Sequence, residues 1–349
     1  MNNHKIVIFF GIILQVMCSC DQKSPVAEAS EHKYQLAFHE GRVQDGGVRM
    51  FPIETTKGTW DVWTKTMGRN DQLKVLLLAG GPGISHEYME CFESFLPDAG
   101  IELIYYDQLG CGHSENPKDT SMWDLGRYVD EVEQLRIALG LDASNFILLG
   151  HSWGGILAME YALKYQDRLK GLVISNMMCS GPEYGRYADE VLALQMEKMV
   201  LDSIRQLEAA NDFANPRYMA LLMKHYYQQH ICRLPLNEWP EPVNRAFAGM
   251  NSSLYVTMQG PSEFGISGKL EYWDVCDRLG EIELPALVIG AKHDTMDPAH
   301  MEDMSKKMKK GQYLYCPSGS HMSFYDDQTV YFDGLIQFLK NLTKEPAQQ

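Results

Sequence analysis

The sequence is short of several features, and each absence excludes a class of protein. The 349 residues contain no apolar run of about 18 or more, the length that a membrane-spanning helix requires. Lys and Arg number 31 against 46 Asp and Glu, a net charge of −15, and no basic stripe with interleaved aromatics offsets it. A field of that sign repels nucleic acid and anionic surfaces, so nucleic acid is not an expected partner. The eight cysteines include no C-x-x-C pair; beyond Cys18 and Cys20 they are scattered at 91, 111, 179, 232, 276 and 316. That spacing favours neither a zinc site nor a small stapled domain. Buried free thiols are the expectation, although an exported chain could close a bridge. No Gly-Lys-Ser/Thr follows the glycine-rich run at 80–83, which argues against a phosphate cradle. Internal repeats are missing as well.

What is present describes a globular chain with a real core: 45% hydrophobic and 11% aromatic residues. The length suits one large α/β domain with a smaller insertion. Residues 1–20, "MNNHKIVIFFGIILQVMCSC", differ from the rest: Lys5 precedes an apolar run from Ile6 to Met17, and small or thiol residues follow. This layout is that of a secretory signal. Its end, "MCSCDQ", resembles a bacterial lipoprotein signal with Cys20 as the lipidated residue. Polar residues 21–41 then read as a tether, so an exported, membrane-anchored protein is expected.

From residue 42 strands and helices alternate. "TWDVWTKT" has the alternation of a half-exposed edge strand, whereas "KVLLLAG" and "IELIYYD" are short apolar runs of the kind buried on both faces. "RYVDEVEQLRIALGL" spaces Val129, Val132, Leu135, Ile137 and Leu139 as a helix does. "NFILLG", a helix from Gly154 and "GLVIS" continue the rhythm, which predicts a mostly parallel, doubly wound sheet. The rhythm stops over 177–273, a Met- and Tyr-rich stretch with long helical patterns such as "YADEVLALQMEKMVLDSIRQLEAA". This segment is expected to be a helical cap inserted between core parts 42–176 and 274–349.

In "LLGHSWGG" a strand runs into Gly150-His151-Ser152-Trp153-Gly154 and a helix follows at once. A serine on so tight a strand-to-helix turn stands exposed above the sheet, and the flanking glycines leave room for the turn. The alternative is a serine that merely caps a crossover helix. A hydroxyl becomes a nucleophile when a base takes its proton, and the base needs a partner to fix its tautomer. In this topology the order is Ser, acid, His. Asp294 ends the strand "ALVIGAKHD", and His321 lies in the turn "CPSGSHMSF" after the next strand. Of the two aspartates in "KHDTMDP", Asp294 is nearer the strand end and Asp297 is read as a turn residue before Pro298. The loop Gly80-Gly81-Pro82-Gly83 can bring a backbone N–H close to a reacting carbonyl. Gly81 and Trp153 are the expected oxyanion donors. Dehalogenase and epoxide hydrolase chemistry would need Asp where Ser152 stands.

Taken together, "GGPG", "YYDQLGCGHS", "GHSWGG", "QGPSEF", "KHDTMDP" and "GSHM" resemble, in order, the prolyl aminopeptidase (proline iminopeptidase) family of α/β-hydrolase serine peptidases. "GPSEF" resembles the branch with the tricorn-interacting aminopeptidase and amino-acid amidases. The resemblance implies a triad of Ser152, Asp294 and His321, a helical cap, and Glu263 as the group that grips the substrate's free amine. It implies peptide or amino-acid amide substrates and neither cofactor nor metal. Two positions depart from the family pattern: Ala79 replaces the usual His before Gly-Gly-Pro-Gly, and Thr295 stands where relatives in this branch often carry a second amine-binding Glu. Glu183 or Asp189 could substitute for that second carboxylate. The rivals are a carboxylesterase or acyl-amide hydrolase with the same triad, and a non-catalytic surface-binding lipoprotein.

Overall fold

A computed structural model describes residues 47–344, which fall within one compact unit. The signal segment 1–20 with Cys20 and the tether 21–41 lie outside the described residues. Among the described residues eight strands form one sheet in the order β1-β2-β4-β3-β5-β6-β7-β8. They are β1 (Val48–Thr55), β2 (Gly58–Met67), β3 (Lys74–Leu78), β4 (Glu102–Tyr106), β5 (Phe146–His151), β6 (Gly171–Ser175), β7 (Pro285–Ala291) and β8 (Lys310–Cys316). β1 and β2 pair antiparallel, as do β2 and β4; the pairings from β4 through to β8 are parallel.

Side-chain alternation on the central strands builds two apolar layers. Leu76, Leu78, Phe146, Leu148, Leu172 and Ile174 join one cluster with the helices Leu125–Ala138 and Trp153–Tyr165. Val75, Leu77, Ile147, Leu149 and Val173 join the other, with the closing helix Gln328–Asn341 and part of the cap. Near-continuous apolar runs are legible as strands because helices cover both faces.

Several expectations need correction. "TWDVWTKT" belongs to β2, which is not at the edge; β1 lies outside it, with Pro52 opposite Asp61. Proline on an outermost strand costs no ladder bond when its missing N–H would face solvent. Ile137 is 61% exposed, whereas Val129, Val132 and Leu135 are buried. The long helical pattern of the insertion is broken: Gly181–Tyr187 runs into a wider turn at Ala188–Leu192, Met196 is extended at ψ 146°, and Lys198–Ala209 starts afresh. Short helices continue through Ser252–Met258 before the chain returns to β7. Cys179 and Cys276 are not free thiols but form a disulfide across 97 positions, at the two ends of this insertion. The Ser180–Asp274 bridge and the Val275 N–H to Cys179 O bond lie beside it. Cys91, Cys111, Cys232 and Cys316 are free.

Candidate active site

β5 ends at His151, and Ser152 then adopts φ 56°, ψ −126° before the helix Trp153–Tyr165 begins. Such a conformation is costly for a non-glycine residue and persists only where surroundings impose it. The glycines make it possible. A Cβ on Gly150 would lie 1.9 Å from Gly154 O, and one on Gly154 would lie 2.1 Å from Leu78 O. Ser152 is consequently raised at the carboxyl end of the sheet, where α/β folds collect their sites.

Asp294 and His321 come from the loops after β7 and β8, and both are buried. His321 Nδ1 donates to Asp294 Oδ1 at 2.7 Å. Burial of His321 works against its charged form, and the Asp294 charge and hydrogen bond override this, so its pKa is raised above 6.5. With Nδ1 engaged, Nε2 is the nitrogen left for the substrate side. Ser152 and His321 line the same cavity. Among the described residues no hydrogen bond joins them, and such contacts often tighten only when substrate is bound.

The loop at 80–83 packs against the elbow: a Cβ on Gly80 would sit 3.0 Å from Ser152 Cβ. Gly81 has φ 103°. The Gly80 N–H donates to Tyr88 Oη at 2.7 Å, whereas no protein acceptor is found for the Gly81 N–H among the described residues. The Trp153 N–H lies in the first turn of its helix, where amides have no intrahelical acceptor. Gln108, from the "DQLGCGHS" stretch, ties these two parts together. Its Nε2 donates to Ala79 O at 3.0 Å, and its Oε1 accepts from the Trp153 indole at 2.8 Å.

A second set of bonds holds the His321 loop. His151 Nε2 donates to His321 O at 2.8 Å, which leaves Nδ1 to accept from Tyr88 Oη at 2.9 Å. Burial drives the His151 pKa well down, in keeping with a neutral ring. From the cap, His230 O and Ile231 O accept from the His321 and Met322 N–H groups at 2.9 and 2.8 Å.

The cavity above Ser152 has a volume of about 330 Å³ and is walled by Met219, Met223, Tyr227, Ile231, Trp239, Phe247 and Met250. Among the described residues Glu263 is the one carboxylate that lines it. Tyr255 Oη donates to Glu263 Oε1 at 2.5 Å, and the Tyr184 hydroxyl, which donates to Glu263 O at 2.7 Å, lies 3.5 Å from Oε2. Desolvation raises the Glu263 pKa above 4.5 despite these donors and nearby His321. Thr295 does not face the cavity: it is fully buried, its Oγ1 3.3 Å from Asp294 Oδ1 and 3.2 Å from His321 Nδ1. Nor do the two expected substitutes reach it, since Glu183 pairs with Arg186 and Asp189 with Arg205. Asp297 caps the helix Pro298–Lys307 through Ala299 N–H at 2.9 Å.

Two groups of metal-type side chains occur among the described residues. In the first, Cys179 and Cys276 are bonded to each other beside His300, so their sulfurs are not thiolate ligands. In the second, Asp107 accepts from His86 and His113 Nδ1 at 2.8 and 3.1 Å, with both rings stacked on Trp63. This is a self-satisfied clasp. Gln108 and His151 lie inside quoted motifs and Tyr88 shortly after one, but none of the three carries a signal of its own in the sequence.

Sheet order, elbow and site together define an α/β hydrolase, and the profile of the α/β hydrolase fold matches residues 74–328. Relatives narrow this further. A proline iminopeptidase of Flavobacterium johnsoniae is 58% identical over 85% of this chain and 99% of its own length. One from Elizabethkingia meningoseptica is 55% identical over 84% of this chain and 98% of its own. The crystal structure of a Mycobacterium smegmatis proline iminopeptidase superposes with a TM-score of 0.74 at 27% identity, covering 84% of this chain and 98% of that one. The chain belongs to the proline iminopeptidase family.

Proposed function

We propose that this protein is a serine aminopeptidase that releases N-terminal proline from peptides. The observation that carries this reading is the placement of Glu263 in one apolar cavity with Ser152 and His321. A carboxylate in such a cavity favours a ligand with a cationic amine, and the apolar walls favour a compact apolar ring beside it. The relatives named proline iminopeptidase support the same substrate.

Ser152 Oγ attacks the carbonyl carbon of the N-terminal residue while His321 Nε2 accepts its proton, with Asp294 holding the imidazole. The Gly81 and Trp153 amides receive the developing oxyanion. Collapse breaks the C–N bond, and His321 gives its proton to the departing amine. Water then attacks the Ser152 ester, His321 again taking and returning the proton, and the free amino acid leaves. Glu263 selects a free amine over a blocked one. Export with a lipid anchor at Cys20 is part of this reading, and the Cys179–Cys276 disulfide supports an oxidising compartment.

Ser152→Ala is the direct test. Turnover of prolyl-arylamide and labelling by a serine-directed fluorophosphonate should both vanish while the circular dichroism spectrum is kept. Undiminished turnover would overturn the assignment.

A further inference from the structure

β6 ends at Ser175, and Asn176 then enters the left-handed region at φ 53°. Asn tolerates that region better than most side chains. The residue is fully buried, and its amide is bonded on both sides. Nδ2 donates to Asp294 Oδ2 at 2.6 Å and to Ser320 O at 3.2 Å. Oδ1 accepts from Ser175 Oγ at 2.7 Å and Ser323 Oγ at 3.3 Å. The amide has one workable orientation, because a carboxylate and a carbonyl both require the N–H side. An aspartate would bring two carboxylates face to face, and glutamine is one methylene too long.

The two groups held by Nδ2 belong to different loops. Asp294 follows β7, whereas Ser320 follows β8 and directly precedes His321. Their relative placement decides whether Asp294 Oδ1 meets His321 Nδ1 at 2.7 Å. Oδ1 also accepts from Met296 N–H at 3.2 Å and Thr295 Oγ1 at 3.3 Å. For Oδ2, Asn176 is the donor found among the described residues. Asn176 does not line the cavity, so it touches no substrate.

We propose that Asn176 is a positioning residue for catalysis: a strut from the end of β6 that sets the Asp294 carboxylate against His321 by holding both loops at once. The proposal rests on the triad reading above. Asn176 acts on the proton-transfer step and leaves substrate binding alone.

The test uses two variants of the full chain with prolyl-arylamide, each titrated for active sites with a fluorophosphonate. Asn176→Gly keeps the left-handed backbone and removes the donor. Its kcat should fall about 10- to 100-fold with KM unchanged, the scale expected for a misplaced catalytic group. Asn176→Asp keeps the shape and puts a carboxyl against Asp294. Two carboxyls in contact share a proton, and the protonated one donates as the amide did. The other titratable groups of this network are His321, Asp326 bonded to Ser320, Tyr331 on Ser175, and Cys316 beside Ser323. All of them are common to native and variant protein, so the ratio of the two kcat/KM values isolates the new carboxyl. That ratio should be highest near pH 6 and fall at least about tenfold by pH 9 as the shared proton is lost. A merely structural role would lower activity by the same factor at every pH. A flat ratio overturns the proposal. So does an Asn176→Gly kcat within about twofold of native, or a loss confined to KM. If Asn176→Gly does not fold, the pH ratio decides alone. Inactive Ser152→Ala beside indifferent Asn176 variants would overturn only the strut; active Ser152→Ala would overturn the triad.

Discussion

Replacing Glu263 by Gln should uncouple amine recognition from the chemistry at Ser152. The change is isosteric, and the hydroxyl of Tyr255 can still donate to the amide oxygen at this position. What it removes is one negative charge that no Lys or Arg pairs with among the described residues. A charge-assisted hydrogen bond contributes about 1.5–3 kcal/mol, and the apolar walls favour the upper end. About 3 kcal/mol corresponds to about a 150-fold loss in kcat/KM for a free prolyl-arylamide. The N-acetylated arylamide carries no cation, so its turnover should not fall in parallel. The ratio between the two substrates should drop by about the same 150-fold. Stability should move the other way. Desolvation raises the Glu263 pKa in the folded protein above its unfolded value near 4.5, so the folded state holds that proton more tightly. The resulting stabilisation is full below that value and is lost as pH rises through the folded pKa. At pH 8 Glu263→Gln should melt above the native protein, and the gap should close toward pH 4.5. An equal loss on free and N-blocked substrates would refute this account of Glu263. So would an unchanged ratio.

Because Asp294 holds the His321 pKa above 6.5, native kcat/KM should rise with pH along a limb above that value. Asp294→Asn should lower kcat by about 10⁴ and move the limb downward, as a pH–rate profile will read. Gln108→Leu removes the bonds from Gln108 to Ala79 O and to the Trp153 indole, and single-turnover kinetics should show acylation slowed about tenfold or more with substrate affinity kept. Replacing Cys179 and Cys276 together by Ser should lower stability to denaturant by about 2–4 kcal/mol, since the closed loop spans 97 positions. Folded variant should still turn over, because Val275 N–H still bonds Cys179 O at the same neck.

Ser152 was legible in the sequence because its geometry is local: the glycines at 150 and 154 answer to atoms within a few residues or on the adjoining strand. Asp294 and His321 were legible by order, since strand ends along a parallel sheet fix where the loops emerge. Asn176 was not. Its partners lie 118 and 144 positions away, and "ISNMM" has neither glycine nor a recognisable motif. The same holds for the disulfide, where spacing alone cannot select one pair among six scattered cysteines. Thr295 shows a subtler limit. Its alignment with a family glutamate suggests a substrate contact, whereas the backbone turns its hydroxyl onto the Asp294–His321 pair. The cap helices failed at their boundaries because amphipathic spacing runs straight across Met196, where the chain turns.

The backbone bonds from His230 and Ile231 to His321 and Met322 bear on how such enzymes can diversify. An insertion that only roofed the site could be exchanged between homologues at its two ends. Here one segment of the insertion is stitched to the loop that carries His321, the histidine proposed above to transfer the proton. Transplanting the insertion without that loop would therefore alter the acid–base machinery along with the choice of substrate, and new specificities in this lineage should arise by point changes in the walls more readily than by exchange of the whole module.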